Sequence, residues 1–434
     1  MSRPPLIAVV WFFYLGALGI FFPFFSLYLH ENAGLTGTQM GFVLAVIPMM
    51  GLVTQPLWGQ IADRTGSRSR VLSALGVGAL FGYAALFYAR GFVAIALATA
   101  ALAFFQTAVI PSSVAATLAL TRNDGPYAFG RMRVWGTVGF LLVVVGFPPA
   151  LHALQELWGP DIDRPGVSEP GLEWMFPITA AVLFCGALAA RALPRGGALA
   201  LRAPRGDWRR LVRHRPFRRL LGFSLVAFLC LQGPMSMFPV FVRAHGGSLD
   251  SVGEMWILML IPEIFLILIS GAGLQRFGPR GLLGIGVTAG GIRWLVCGLA
   301  PSLAWIYPVQ VLHGVVVAGL VLGAPLYVEA VVPERLRSTG QGLLAMIGVS
   351  VGGICSQLAT GWLIEHVGTN APYIVGGAGA LILGLLIPIW IPPATRPAPA
   401  EGEEQAEPRS TGRSTLEEPQ ESIARSSGVR PESR

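Results

Sequence analysis

Residues 5–30, PLIAVVWFFYLGALGIFFPFFSLYLH, contain no arginine, lysine, aspartate or glutamate. A helix that crosses a bilayer needs roughly 20 apolar residues, and this stretch supplies them without a break. Similar stretches follow, separated by short loops in which arginine is common. Only helices and closed barrels satisfy their backbone hydrogen bonds in lipid. The sequence therefore predicts an all-α membrane protein with twelve transmembrane helices, spans 1 to 12, the later ones at residues 38–62, 71–89, 92–121, 132–157, 173–193, 217–243, 250–275, 281–300, 302–330, 340–365 and 371–391.

The composition agrees with this class of protein and disfavours others. Hydrophobic residues make up 53% of the chain and charged residues 12%, against roughly 25% charged in soluble domains. The net charge of +8 comes from arginines in loops, so we do not expect nucleic-acid binding. The four cysteines lie inside apolar stretches, which predicts neither a disulfide framework nor a metal site. No nucleotide-binding loop or nucleophile motif is present, so we expect neither an enzyme nor a cofactor.

The arginines also predict the orientation. With the N-terminus inside, the outer loops hold only Arg90, Arg164 and Arg243, while ten arginines lie between residues 191 and 219. Positive charge concentrates in cytoplasmic loops. We therefore expect a multi-pass protein of the plasma (inner) membrane with both termini in the cytoplasm.

Four segments are predicted along the chain. Two six-helix halves, 1–193 and 217–392, flank an arginine-rich cytoplasmic linker, 194–216. The tail 393–434 is rich in Glu, Pro, Ser and Arg and is expected to be disordered.

A short pattern recurs after the second span of each half. GQIADRTGSR at 59–68 follows span 2, and GAGLQRFGPR at 271–280 follows span 8. Their glycines and arginines share the spacing G-x-x-x-x-R-x-G-x-R. This is expected if the two halves are parallel repeats of one six-helix unit.

The first copy closely resembles the loop signature G-x-x-x-D-R-x-G-R-R of the major facilitator superfamily. A finer resemblance is to the branch of phenylpropionate permeases and nucleoside–proton symporters, and more distantly to lactose permease. The residues that carry it are FGRMRVWG at 129–136, Trp256 and Glu263, GIRW at 291–294 and VQVLH at 309–313. The resemblance implies the major facilitator fold and transport of a small solute.

Three ionisable residues lie at matching depth in consecutive spans: Glu263 in span 8, Arg293 in span 9 and His313 in span 10. An ionisable residue inside the membrane is expensive unless it is paired or hydrated. We therefore predict that these residues form a proton-coupling site, in line with the positions that the resemblance implicates. The alternative is a buried Glu263–Arg293 pair that only fixes helix packing. Lactose-type transport is disfavoured, because Val316 occupies the position of a lactose permease carboxylate, and the run Pro111–Ala115 contains no acid.

Further polar and aromatic side chains are candidates for binding substrate or for gating. Arg293 is expected to bind an anionic group of the substrate. The other predicted substrate residues are Gln310, Gln232, Gln106, Tyr14 and Trp294, each with helix–helix hydrogen bonding or packing as the alternative. Asp63 is predicted to bind Arg131 or Arg133 when the cytoplasmic side closes, with a plain exposed turn as the alternative. The whole predicted latch is Gly59, Asp63, Arg64, Gly66, Arg68, Arg131 and Arg133.

Together these features predict a secondary active transporter that works by alternating access, by proton symport of an aromatic carboxylate or similar metabolite. A nucleoside or other neutral-solute symporter, a proton-driven efflux antiporter and a non-transporting membrane sensor are the alternatives. The expected partners are the small-molecule substrate, protons and the lipid bilayer, and the chain is expected to act as a monomer.

Overall fold

The computed structural model describes residues 4–121, 128–158, 169–194 and 208–393. Within these ranges the chain is helical, without a strand, and eleven helices are long and apolar enough to cross a membrane. Most of the predicted linker and all but the first residue of the predicted tail lie outside the described residues.

The first half contains spans 1 to 6. They are α1 (Pro4–Leu27) with a π-helical turn (Tyr28–Asn32), α2 (Gly37–Thr65), α3 (Arg68–Tyr88), α4 with α5 (Gly91–Gln106, Val109–Leu120), α6 (Ala128–Trp158) and α7 (Met175–Arg191).

The second half begins with a short helix, α8 (Trp208–Arg213), inside the predicted linker. Span 7 is α9 with α10 (Arg215–Ser236, Phe238–Ala244), and spans 8 and 9 both lie in α11 (Leu249–Leu299). Span 10 is α12, α13 and α14 (Leu303–Val309, Leu312–Val316, Gly323–Val331), span 11 is α15 and α16 (Arg337–Leu344, Gly352–His366), and span 12 is α17 (Ala371–Trp390).

Gly278 separates spans 8 and 9. Its backbone has φ 63° and ψ 172° inside an otherwise helical segment. A side chain strains a residue with positive φ, and glycine avoids that cost. The break supplies the turn between the two spans, so that α11 counts as two spans and the described helices form twelve spans in two halves. The predicted fold class, all-α with two six-helix halves, is confirmed.

Spans 10 and 11 are less regular than the sequence predicts. Each contains a π-helical segment, Val317–Leu322 in span 10 and Ala345–Val351 in span 11. Such wide turns leave the backbone pattern locally irregular and are frequent at functional sites. Both segments contribute side chains to the central cavity described below.

Six spans return the chain to the side from which it started. The first and last helical residues of the six spans of each half therefore lie on one side of the protein, here called the linker face: Pro4, Arg191, Arg215 and Trp390. The other side is here called the opposite face. The linker face is the one that the arginine distribution predicts to be cytoplasmic.

The two halves meet at the opposite face through an ion cluster. Arg243, at the end of span 7, binds Glu31 at the end of span 1, with 2.8 Å between Nε and Oε1. It also binds Glu169, just before span 6. Glu31 and Glu169 belong to the first half and Arg243 to the second, so this cluster joins the halves.

Spans 2 and 11 form a second contact at the opposite face. The backbone N–H of Thr38 donates to Glu365 Oε2 at 2.7 Å. Beside it, Gly37, Gly41 and Gly361 let the two helices approach so closely that a Cβ on Gly361 would lie 2.3 Å from the carbonyl oxygen of Gly37. The opposite face is therefore closed in this conformation.

We predict that Arg243→Gln weakens closure of the opposite face, because it removes the charge that two carboxylates share. Spin labels on cysteines at His30 and Asp250, in a background without the native cysteines, report the separation of the halves there. The ratio of molecules with a wide label separation to molecules with a narrow one should rise about fivefold. This corresponds to a change of about 1 kcal/mol in the free energy of closure.

Arg90→Gln is the matched control, since the acceptors of Arg90 among the described residues are the nearby carbonyls of Phe87 and Ala89 in its own half. An unchanged distance distribution in Arg243→Gln would show that the cluster does not hold the halves together.

Candidate functional site

A cavity of about 390 Å³ lies between the two halves. Spans 1 and 5 line it from the first half, and spans 7 to 11 line it from the second. Its size falls within the range of small-molecule sites, which are mostly apolar with a few placed polar groups.

Glu263, His313 and Arg293 form a chain along one wall of this cavity. The distance from Glu263 Oε2 to His313 Nε2 is 3.7 Å, and His313 Nδ1 lies 3.1 Å from Arg293 Nη1. The structure brings the three predicted residues together, and the direct Glu263–Arg293 pair that was considered as the alternative is not formed among the described residues. The structure instead places the imidazole between the two charges.

The neighbours of His313 determine its tautomer. A guanidinium only donates hydrogen bonds, so the Nδ1 that faces Arg293 must accept and cannot carry a proton. The neutral ring then carries its proton on Nε2, the nitrogen that faces Glu263. His313 therefore presents an N–H to the carboxylate and is suited to pass a proton to or from it.

Arg293 is buried without a carboxylate partner among the described residues, with 2% of its surface exposed. Its Nε and Nη2 donate to Gln310 Oε1 at 2.9 and 2.7 Å. The guanidinium also lies 4.0 Å from the centre of the Trp294 ring and 5.6 Å from that of Phe238. Dipoles and ring faces thus stabilise a charge that no anion balances.

Arg133, on span 5, brings a second cation to the cavity from the first half. Among the described residues it makes no hydrogen bond or ion pair, and it is half-buried. Its neighbour Arg131, two residues earlier, is exposed. Residues two apart point to different sides of a helix. This spacing could therefore have indicated that Arg133 faces the interior when Arg131 faces the surface.

Aromatic rings form another part of the cavity wall. Trp256 of span 8 contacts Phe22 of span 1 and Phe140 of span 5, with ring centres 5.8 and 5.2 Å apart. Trp256 Nε1 and Gln232 Oε1 are both buried with no hydrogen-bond partner among the described residues. A buried polar atom without a partner is costly, and both side chains line the cavity. Each is therefore available to a bound molecule.

Three of the predicted substrate residues line the cavity and three do not. Arg293, Gln232 and Trp294 line it. Gln310 is fully buried behind Arg293, Gln106 accepts from the hydroxyl of Tyr83 at 2.8 Å, and Tyr14 donates to the carbonyl of Leu72 at 2.7 Å. For Gln106 and Tyr14 the observed partners match the alternative reading, hydrogen bonds between helices.

The predicted latch at the linker face is not formed in this conformation. Asp63 is exposed and makes no ion pair with Arg131, Arg133 or any other described residue. Arg68 instead donates to the carbonyl of Ala115 at 2.6 Å.

Of the remaining latch residues, Gly66 has a local role in the backbone, and the structure assigns no role to Gly59 or Arg64. Gly66 ends α2 with a left-handed backbone, φ 60°, which favours glycine. Gly59 has open space around it, and Arg64 is exposed. The latch was predicted to form when the cytoplasmic side closes, and in this conformation the halves are joined at the opposite face, so the latch stays a prediction.

A membrane-embedded cavity between two six-helix repeats, closed at one face, defines a transporter of the major facilitator fold. The sequence model of the MFS_1 like family matches residues 6–375, and the chain belongs to that family. Membership in the major facilitator superfamily, predicted above, is confirmed.

Similar proteins include two named transporters. The chain is 30% identical over 399 residues to the maltose permease of Geobacillus stearothermophilus, covering 89% of this chain and 95% of that protein. It is 27% identical over 321 residues to the probable 3-phenylpropionic acid transporter of Escherichia coli (strain K12), covering 71% of this chain and 77% of that protein. The crystal structure of the nucleoside transporter NupG shares the fold, with a TM-score of 0.71, 16% identity and coverage of 90% of this chain and 99% of that one.

Gln310→Leu is predicted to destabilise the protein, because it removes the oxygen that accepts from Nε and Nη2 of a buried guanidinium. The loss should be about 1–3 kcal/mol. Gln106→Leu, which removes a single bond to a tyrosine hydroxyl, is the matched control and should cost less. Thermal unfolding of the two purified variants in the same detergent measures the difference, and equal melting temperatures would show that Gln310 does not support Arg293.

Proposed function

We propose that the chain is a proton symporter for a small carboxylate with an aromatic or other apolar body. It acts as a monomer in the plasma membrane, with the linker face and both termini in the cytoplasm. The observation that supports this most directly is that the guanidinium of Arg133 and the N–H of Trp256 line the same cavity and neither has a hydrogen-bond partner among the described residues. Most of the other side chains that line this cavity are aromatic or aliphatic.

The charges around the cavity favour an anion. Arg133 and Arg293 carry one positive charge each, Glu263 carries one negative charge when ionised, and His313 is neutral in the tautomer described above. The empty site then has an excess of one positive charge, which a monocarboxylate cancels. In a low-dielectric cavity such an excess attracts an anion strongly.

The geometry also supplies a route to coupling. Arg133 and Glu263 line the same cavity, and a nearby cation favours the ionised form of a carboxyl group. A substrate carboxylate on Arg133 screens that interaction, so Glu263 takes up a proton more readily once the substrate is bound. Substrate and proton then bind cooperatively, with a coupling free energy typically of 1–3 kcal/mol.

The rings give the substrate its apolar contacts. Phe22, Phe140 and Trp256 form a continuous wall to which both halves contribute. An aromatic ring of the substrate packs against these side chains in offset or edge-to-face geometry. When the halves move apart or together, Phe22, Phe140 and Arg133 of the first half change position relative to Trp256 and the Glu263–His313–Arg293 chain of the second half.

A neutral sugar is the second candidate substrate. The maltose permease of Geobacillus stearothermophilus supports it, because the similarity covers nearly its whole length. The free Gln232 carbonyl and Trp256 N–H would serve as hydrogen-bonding groups for hydroxyls. A sugar does not need Arg133 as a counterion, and this difference separates the two candidates.

The first test uses Arg133→Gln with Arg90→Gln as its matched control. Proteoliposomes containing each variant are assayed for uptake of radiolabelled 3-phenylpropionate and of maltose under an imposed proton gradient. We expect Arg133→Gln to lower phenylpropionate uptake at least tenfold and Arg90→Gln to leave it within twofold, since Arg90 is exposed and lies outside both the cavity lining and the predicted latch. Maltose uptake in the unsubstituted protein, unaffected by Arg133→Gln, would overturn the carboxylate in favour of the sugar.

The second test concerns the coupled proton. Glu263→Gln imitates the protonated carboxyl, so substrate exchange between the two sides should persist while accumulation against a gradient is lost. Counterflow and gradient-driven uptake measure these two activities in the same proteoliposomes. Proton uptake and accumulation at normal levels in Glu263→Gln would place the coupling group elsewhere, and His313→Asn would be tested next.

A further inference from the structure

A second cavity, of about 380 Å³, lies on the outside of the helix bundle near the linker face. Its lining comes from spans 3 and 6 and consists of Ser69, Arg70, Ser73, Ala74, Val77 and Arg191. None of these residues lines the central cavity, and none belongs to the charged chain or to the ion cluster. The cavity is here called the outer groove.

Positive charge is concentrated at one end of the outer groove. Spans 3 and 6 run in opposite directions, so the first turn of span 3 lies beside the last turn of span 6. This places Arg70 and Arg191 together. Both are exposed and make no hydrogen bond or ion pair with a described residue, and no acidic residue lines the groove.

The start of span 3 adds to this positive end. Ser67 precedes the helix, but its side chain makes no capping hydrogen bond to the first turn. The first N–H groups of a helix point outwards and favour a negative group. Two guanidinium groups and uncapped backbone N–H groups together match a phosphate.

The outer groove is apolar away from its positive end. Arg70, Val77 and Phe81 follow one another at seven and four residues, on one side of span 3. Val77 is 41% exposed and Phe81 72% exposed. On span 6, Phe184 and Leu188 are exposed as well.

The floor between these rows is narrow and made of small side chains. Ser73 Oγ donates to the carbonyl of Ala187 at 3.1 Å, and a Cβ on Gly76 would lie 2.8 Å from that of Ala187. The groove therefore runs from a cationic end into an apolar channel along the bundle surface.

We propose that the outer groove binds an anionic phospholipid, with its phosphate between Arg70 and Arg191 and its acyl chains along Val77 and Phe184. A free phosphate would satisfy the arginines but not the apolar rows, so the combination favours a lipid. Anionic lipids are abundant in the cytoplasmic leaflet, where basic pockets between helices bind their head groups, and the linker face is the one predicted to lie there. This proposal is independent of the transported substrate.

The test is native mass spectrometry of the purified full-length protein with added phosphatidylglycerol or phosphatidylethanolamine. We expect selective binding of phosphatidylglycerol, reduced about tenfold in Arg70→Gln/Arg191→Gln. Arg213→Gln/Arg218→Gln is the matched control, because it removes two arginines near the same face but outside the groove, and it should bind as the unsubstituted protein does. The melting temperatures of both double variants are measured to establish that they are folded.

Two further measurements separate the lipid from a free anion. Inorganic phosphate in millimolar excess should not displace phosphatidylglycerol, and Phe184→Ser should weaken lipid binding although both arginines are present. Equal binding of the two lipids, equal loss in both double variants, or displacement by phosphate alone would each overturn the proposal.

Discussion

A guanidinium buried between helices, with no carboxylate beside it among the described residues, is the constraint on which the site depends. Arg293 cannot escape its charge by losing a proton, so the surrounding residues must stabilise it. Gln310 accepts hydrogen bonds from two of its nitrogens, and Trp294 offers a ring face. The sulfur atoms of Met235 and Met259 are weak acceptors, and Nδ1 of His313 accepts from Nη1. The need to stabilise one permanent charge thereby sets the proton position on the histidine and directs its other nitrogen to Glu263.

Much of the fold could be predicted because membrane spans leave a strong one-dimensional signal. Hydrophobic length gave the twelve spans, and the repeated G-x-x-x-x-R-x-G-x-R pattern gave the two halves. Depth along each span also grouped Glu263, Arg293 and His313. The depth of a residue along its span does not predict which side of the helix the residue faces. The order of these three groups, with the histidine in the middle, was therefore seen only in the structure. The irregular turns of spans 10 and 11 had no sequence signal that we recognised.

Contacts between the halves were harder to predict than the residues that make them. Arg243 and Glu169 were evident as charges in outer loops, and the sequence placed the latch at the other face, around Asp63. Pairing of Arg243 with Glu31 joins residues 212 positions apart, which no local pattern encodes. Arg133 was predicted as a latch residue only, and the structure places it in the lining of the cavity. It shares a motif with Arg131, but residues two positions apart on a helix face different surroundings.

The division of the cavity between the halves has a consequence for how substrate range can change. The groups that we associate with the proton all belong to spans 8 to 10, whereas span 1 contributes Phe22 and span 5 contributes Arg133 and Phe140. Replacements at Phe22 and Phe140 can therefore alter the shape that the cavity accepts without removing a group that we associate with the proton. Arg133 differs, because in the proposed coupling its charge also acts on Glu263. In a protein divided in this way, the substrate specificity can change through residues of one half while the proposed proton-coupling residues of the other half are retained.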